Sequence, residues 1–129
     1  MKTITIKQGG VFPGPPHEVY ELWMDSEKHA VFTKGETKMS RKVGGEFVTF
    51  DGWATGKNIE LIPDKKIVQT WRGEDWPEGH YSTLTLKLVA AKSGTKFMFT
   101  QENVPSTVSK DVAKGWKQYY WEPMKKALG

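Results

Sequence analysis

Three histidines are the side chains best suited to acid–base chemistry in this chain of 129 residues. His17 follows a run of prolines, His29 lies in a short segment predicted to be helical, and His80 stands at the start of a predicted strand. No two of them have the spacing of metal ligands, and the chain contains no cysteine. A thiolate nucleophile and a cysteine zinc site are therefore excluded.

The sequence also lacks the short motifs that carry catalysis. It has no HExxH, no GxSxG, no phosphate-binding loop and no dinucleotide-binding fingerprint. Its more prominent carboxylates fall in predicted turns or on predicted strand surfaces: Glu46, Asp51, Glu60, Glu74, Asp75 and Glu102. We therefore expect a protein that binds rather than catalyses, with no metal and no cofactor.

Length and composition indicate one soluble domain over residues 1–129. Hydrophobic residues make up 37% of the chain and charged residues 26%, as in an ordinary globular protein. The longest apolar stretch, Leu88 to Ala91, is too short to span a bilayer, and the first eight residues lack a secretory apolar core. Together with the absence of cysteine, these features predict a cytoplasmic protein without membrane insertion.

The formal net charge of +4 is concentrated in the second half of the chain. Residues 65–129 carry 11 basic and 6 acidic side chains, whereas residues 1–64 carry 8 and 9. Lysines recur in the last segment and predict a basic helix face, which is either simply solvated or attractive to an acidic partner. No recognised RNA- or DNA-binding motif accompanies it, so we expect no nucleic-acid partner.

The first elements follow from hydrophobic periodicity and from glycine and proline. Alternating isoleucines predict a strand over 3–7, ended by the glycines and prolines that follow. Apolar residues three and four apart predict a helix that ends near Asp25. Ser26 is the predicted N-cap of a second short helix, which Gly35 terminates.

The middle of the chain predicts an antiparallel meander. Leu84, Leu86 and Leu88 alternate with polar residues, which indicates a strand with one buried face. Apolar residues occur on both faces of other segments, so both faces of the sheet are expected to be partly covered. Turn residues separate six predicted strands: 37–42, 46–51, 55–62, 66–72, 80–90 and 95–102.

A long C-terminal helix is predicted after residue 105, with Ser106 or Ser109 as its N-cap. Pro123 lacks an amide hydrogen and crowds the carbonyl of Tyr119, so we expect a kink or an irregular last turn. The element order predicts an α+β fold, in which a curved antiparallel sheet of about seven strands wraps around this helix.

Such an arrangement leaves a space between helix and sheet. If side chains do not fill it, the space becomes a cavity for a small hydrophobic ligand. Seven bulky residues are candidates for its lining, or else pack as ordinary core: Trp23, Phe50, Trp71, Leu84, Phe97, Trp116 and Tyr120.

The loop before the fifth strand of the meander holds an aromatic residue among acidic ones. Trp76 either packs on the rim of the sheet or is presented to a partner, since tryptophan is a favoured anchor at interfaces. The candidate partner-binding residues are those of this loop and of the basic helix: Trp76, Pro77, Glu78, His80, Lys114 and Lys117.

Three segments are distinctive in their order along the chain: residues 44–72 (GGEFVTFDGWATGKNIELIPDKKIVQTWR), 76–80 (WPEGH) and 115–120 (GWKQYY). They resemble the family of heat-shock protein 90 ATPase activators. The first carries the main resemblance, and the other two extend it over nearly the whole chain. The resemblance is to the C-terminal domain of these activators, because the Asn-rich, Trp-containing motif of the family's N-terminal domain has no counterpart here. Two departures are Gly73-Glu74-Asp75, in place of the aromatic and basic residues usual before the Trp-Pro pair, and the proline at 123.

The resemblance implies a non-enzymatic co-chaperone that binds a heat-shock protein 90-type chaperone and modulates its ATPase. It also implies the helix-grip fold, which the wider superfamily shares with START lipid-transfer domains and the birch pollen allergen. The alternative function is a carrier or sensor of a small hydrophobic ligand held between the sheet and the C-terminal helix.

Overall fold

The computed structural model describes residues 1–129 and confirms the predicted α+β helix-grip fold. Seven strands form one antiparallel sheet in the order β1-β7-β6-β5-β4-β3-β2. The strands are β1 (Thr3–Phe12), β2 (Lys38–Met39), β3 (Glu46–Thr49), β4 (Ala54–Ile62), β5 (Lys66–Gly73), β6 (Ser82–Ala91) and β7 (Gly94–Pro105). The helices are α1 (Pro16–Met24), α2 (Ser26–Thr33), α3 (Ser109–Trp116) and α4 (Glu122–Leu128), and a π-helical turn (Lys117–Trp121) joins the last two. We refer to α3, this turn and α4 together as the C-terminal helix.

The helices cover one face of the sheet and leave the other in solvent. Leu84, Leu86 and Leu88 of β6 are buried as their alternation predicts, and they pair with buried residues of β7. The expectation that both faces are partly covered was wrong, since Val89 and Met98 on the outer face remain 50% and 41% exposed. The core therefore lies in a single layer between the sheet and the helices.

The first strand is longer than its sequence predicts. It continues through Gly9 and Gly10 to Phe12 and pairs with β7 along its whole length. A Cβ atom on Gly9 would lie 3.0 Å from the carbonyl oxygen of Phe97, and one on Gly10 would lie 3.1 Å from the Phe97 ring. Gly9 thus lets the backbone of β7 approach closely and Gly10 lets an aromatic ring lie against the strand, and neither ends it.

The strands β2 and β3 are shorter than predicted. β3 stops at Thr49 because Phe50 and Asp51 adopt left-handed backbone angles, with φ of 53° and 57°. β2 stops at Met39 because the side-chain amide of Asn58 donates to the carbonyl oxygens of Ser40 and Lys42, at 2.7 Å and 3.0 Å. A side chain thus replaces the strand pairing expected over residues 40–42.

Two predicted helix boundaries were placed one residue off. Asp25, not Ser26, caps α2, and its carboxylate accepts from the backbone N–H of Lys28 at 3.0 Å. The Ser26 hydroxyl instead accepts from the N–H of Met39 at 2.8 Å, which fixes the short edge strand β2. Lys34, not Gly35, takes the left-handed angle after α2, with φ of 60°.

The irregularity predicted from Pro123 lies one turn earlier, in the π-helical turn. There the N–H of Glu122 bonds to the carbonyl of Lys117, five residues back. The wider turn buries the adjacent Tyr120 and Trp121 together, at 2% and 5% exposure. Neither serine predicted as an N-cap caps α3, since Ser109 donates to the carbonyl of Ser106.

Three hydrogen bonds, two buried and one partly buried, attach the helices to the sheet, and each runs from an indole N–H to a glutamine side-chain oxygen. These Trp–Gln pairs are Trp23–Gln69 at 3.0 Å, Trp116–Gln101 at 2.7 Å and Trp121–Gln8 at 2.6 Å. Each glutamine also donates its own amide group onward, to Asn58, Ser82 and the carbonyl of Ala113 respectively. The pairs satisfy the polar atoms of a largely aromatic core and set where each helix lies on the sheet.

The substitution Gln69→Leu is expected to lower the free energy of unfolding by about 2–4 kcal/mol, because it leaves the Trp23 N–H and the Asn58 side-chain oxygen buried without partners. Urea denaturation followed by tryptophan fluorescence measures the change. Gln118→Leu on the exposed surface of the C-terminal helix is the matched control. Equal stability of the two variants would contradict a structural role for the pair.

Candidate functional site

A pocket of about 400 Å³ lies between the C-terminal helix and one end of the sheet. Three parts of the chain supply its aromatic walls. Phe50 and Trp53 come from the β3–β4 turn, Trp71 and Trp76 from β5 and the β5–β6 loop, and Trp116, Tyr119 and Tyr120 from the C-terminal helix.

One glycine permits the approach of these aromatic rings. A Cβ atom on Gly73 would lie 2.9 Å from the Trp53 ring and 3.0 Å from the Trp76 indole nitrogen, so both rings can meet over the end of β5. Gly115 lines the pocket from the helix side, but a Cβ there would make only an ordinary contact at 3.8 Å with Tyr119. The packing of the rings therefore depends on the absence of a side chain at Gly73 and not at Gly115.

The structure brings four of the seven candidate lining residues to the pocket: Phe50, Trp71, Trp116 and Tyr120. The other three, Trp23, Leu84 and Phe97, do not line it because their side chains pack in the hydrophobic core. Trp23 is held by Gln69 and stacks on Trp116 with ring centroids 5.9 Å apart. Phe97 stacks on Phe12 at 4.3 Å, and Leu84 is completely buried.

The sequence leaves two alternatives open for Trp76, packing on the rim of the sheet or presentation to a partner. In the structure its side chain packs inward, as in the first alternative. Its side chain is only 3% exposed, and Arg72 holds the loop by donating to the carbonyl oxygens of Trp76 and Pro77 at 2.6 Å and 3.3 Å. Its indole N–H is the one buried side-chain polar group without a hydrogen-bond partner. Trp76 as it stands is a wall of the pocket, not an exposed anchor.

The remaining candidate partner-binding residues are at the surface. Pro77 and Glu78 are exposed at the tip of the β5–β6 loop, and His80 is half-buried with its Nε2 atom 2.9 Å from the carbonyl oxygen of Asn103. Lys114 and Lys117 are exposed on the C-terminal helix, close in sequence to the pocket residues Gly115 and Trp116. In the sequence, the loop tip follows the pocket residue Trp76, and the two lysines lie on either side of Gly115 and Trp116. The exposed candidates are therefore sequence neighbours of pocket residues.

Sequence reasoning missed several pocket residues. Asp111, Gly115 and Tyr119 recur every four residues on one face of the C-terminal helix, and this spacing was available as a signal. Asp75 and Trp53 carry no such signal, because their positions depend on how two loops fold over the end of β5. A pocket made of loops is harder to predict than one made of a helix face.

Behind the pocket, Tyr120 forms a buried pair with His29. The Nδ1 atom of His29 lies 2.8 Å from the Trp23 carbonyl oxygen, so it carries the proton. Burial lowers the pKa of His29 to about 4, and its neutral Nε2 atom accepts from the Tyr120 hydroxyl at 2.8 Å. Burial likewise raises the pKa of Tyr120, so its hydroxyl stays protonated and hydrogen-bonded to His29.

No group of three or more histidine or carboxylate side chains is placed to hold a metal ion. None of the helices combines the length and hydropathy that crossing a membrane requires.

Comparisons with known proteins agree with the fold and with the resemblance. The family model described as "Activator of Hsp90 ATPase homolog 1-like protein" matches residues 13–129. The human activator of 90 kDa heat shock protein ATPase homolog 1 is 32% identical over 126 residues, which are 98% of this chain and 37% of that protein. The corresponding protein of Dictyostelium discoideum is 31% identical over 90% of this chain and 30% of its own length.

Solved structures give the same result. The crystal structure of an HSP90 activator from Plasmodium falciparum has a TM-score of 0.92 and 26% identity, and the match covers 98% of this chain and 96% of that one. The Aha1 dimer from Colwellia psychrerythraea has the same fold, with a TM-score of 0.83 at 19% identity over 97% and 96% of the two chains. Because the family model spans nearly the whole domain, this chain belongs to the Activator of Hsp90 ATPase homolog 1-like family.

Proposed function

We propose that this protein is a cytoplasmic co-chaperone that binds an Hsp90-type chaperone and modulates its ATPase. The observation that carries the proposal is the match to a solved HSP90 activator over almost the entire length of both chains. The chain spans little more than a third of the length of the human relative, so the proposal concerns what this one domain contributes.

The docking surface that we propose combines charge with exposed loop atoms. Lys114 and Lys117 are exposed and lie in the same stretch of helix as the pocket, and Pro77 and Glu78 extend from the neighbouring loop. A basic helix face steers an acidic partner and sets its orientation more than it adds to affinity. Docking through this face should therefore weaken as salt increases.

The charge reversal Lys114→Glu/Lys117→Glu is expected to raise the concentration needed for half-maximal ATPase stimulation about tenfold or more, because attraction across the interface becomes repulsion. The measurement is the ATPase rate of the Hsp90 of the source organism, titrated with each variant at two salt concentrations.

The matched control is Lys87→Glu/Lys96→Glu, which changes the net charge equally. Both of these lysines are exposed on the outer face of the sheet, opposite the helices. If this control alone loses stimulation, the docking face is the sheet. If the unaltered protein neither stimulates the ATPase nor forms a complex, the co-chaperone proposal fails.

We further propose that the protein acts by binding and not by catalysis of its own. Its relatives are described as activators of another protein's ATPase. The one buried histidine, His29, has both ring nitrogens engaged by Trp23 and Tyr120, so neither is available to move a substrate proton. His29 is accordingly assigned a structural role.

This role predicts a pH dependence of stability. The unfolded chain binds a proton at His29 below about pH 6.5, whereas the folded chain does so only near pH 4. Stability is therefore expected to fall by about 3 kcal/mol as the pH decreases through this window, and to be fully present above it. Urea denaturation at several pH values measures the slope. His29→Gln should remove most of it, with His17→Gln as the control; an unchanged slope in His29→Gln would contradict the assignment.

The alternative function predicted from the sequence, a carrier of a small hydrophobic ligand, has one observation in its favour. The pocket of about 400 Å³ is of the size that small-molecule sites have. Its lining supports a more specific inference.

A further inference from the structure

The pocket is unusual in its charge. The protein carries 19 basic side chains and a net charge of +4, yet no lysine or arginine lines the pocket. Its only charged lining residues are two carboxylates, Asp75 from the β5–β6 loop and Asp111 from the C-terminal helix. Neither takes part in any of the three ion pairs of the structure. The only charged side chains in the pocket lining are therefore acidic, although Lys114 and Lys117 are exposed on the adjacent helix surface.

The aromatic rings of the pocket form walls and do not stack on one another. Adjacent rings meet at steep angles, from 51° between Trp71 and Trp116 to 81° between Phe50 and Trp53. Trp71 also meets Trp53 at 68° and Trp76 at 65°. Such edge-to-face packing is the usual arrangement of aromatic pairs, and all of these rings line the pocket. The face of an aromatic ring attracts a cation.

One mouth of the pocket is open to solvent. Trp53 and Tyr119 stand at this edge with 36% and 47% of their surfaces exposed. Exposed aromatic side chains beside two carboxylates form the sort of surface that attracts an amphipathic cation from solution.

We infer that this pocket binds a small organic cation, with an alkylated ammonium group and an attached apolar or aromatic group. The ammonium group would lie among the ring faces with Asp75 and Asp111 as counter-charges, and the apolar group would fill the remaining space. Alkylation suits the site because an alkylated ammonium is weakly hydrated and has few N–H donors to satisfy. Anions are disfavoured by the two carboxylates, and a neutral ligand would leave them without a role.

The inference does not depend on the proposed co-chaperone function. Its test uses the isolated protein and no chaperone, so either proposal can fail without the other.

The probe is benzyltrimethylammonium, compared with its neutral isostere 2,2-dimethylpropylbenzene, in which carbon replaces the charged nitrogen. Binding is followed by the NMR signals of the indole N–H groups, which a chain of 14.7 kDa resolves readily. The cation is expected to shift the signals of Trp53 and Trp76 and to leave that of Trp121, outside the pocket, in place. We expect the cation to bind at least about fivefold more tightly than the isostere.

The double substitution Asp75→Asn/Asp111→Asn tests the counter-charges without disturbing the core, because neither carboxylate forms an ion pair. It is expected to weaken cation binding about fivefold and to leave binding of the isostere unchanged. The matched control is Glu74→Gln/Glu78→Gln, which removes two charges from the same loop outside the pocket lining.

Retention of the cation preference in the control and its loss in the pocket variant would support the inference. Equal binding of the cation and its isostere to the unaltered protein would overturn it, since the pocket would then be a general apolar site. Absence of any shift at Trp53 and Trp76 would overturn it as well.

Discussion

The fold depends on the burial of indole N–H groups in a core that offers few acceptors. Each of the three Trp–Gln pairs joins a helix to the sheet, and each glutamine passes a hydrogen bond on to a neighbouring group. An unpaired donor at any of these positions would cost about 1–3 kcal/mol. Since hydrogen bonds are directional and hydrophobic contacts are not, the pairs determine where the helices lie, while ring packing supplies most of the stability.

The pocket follows from the same constraint. Trp116 and Trp121 must both reach glutamines on the sheet, and the π-helical turn between Lys117 and Trp121 lets the C-terminal helix present both of them inward. Rings fixed in this way cannot move to fill the space beside them. Trp76, whose indole N–H has no partner, stands on the far wall of that space. The cavity thus lies beside a ring, Trp116, that a Trp–Gln hydrogen bond holds in place.

The fold was largely predictable because it rests on local patterns. The alternation of Leu84, Leu86 and Leu88 marks a buried face whatever surrounds it, and the proline at 123 marks an irregular helix. The predictions failed where a distant partner decides the outcome. Gly9 and Gly10 predict the end of a strand, but the backbone carbonyl of Phe97 lies against the first and its ring against the second, so the strand continues.

The pocket was only half predictable for the same reason. Bulky residues can be recognised in a sequence, but which of them pack in the core depends on contacts between distant parts of the chain. Trp23 is hydrogen-bonded to Gln69, 46 residues away, and Phe97 stacks on Phe12, whereas Trp71 lines the pocket. The acidic lining was beyond prediction, since only the tertiary structure brings Asp75 and Asp111 to the same pocket.

The C-terminal helix also connects the two proposals: Asp111, Gly115 and Tyr119 line the pocket, while Lys114 and Lys117 are exposed between them in sequence. A partner that covers this stretch of helix also covers the mouth at Tyr119, and a ligand in the pocket changes the surface that the partner meets. If both proposals hold, binding at the two places is coupled, and each occupant alters the affinity for the other by the same factor.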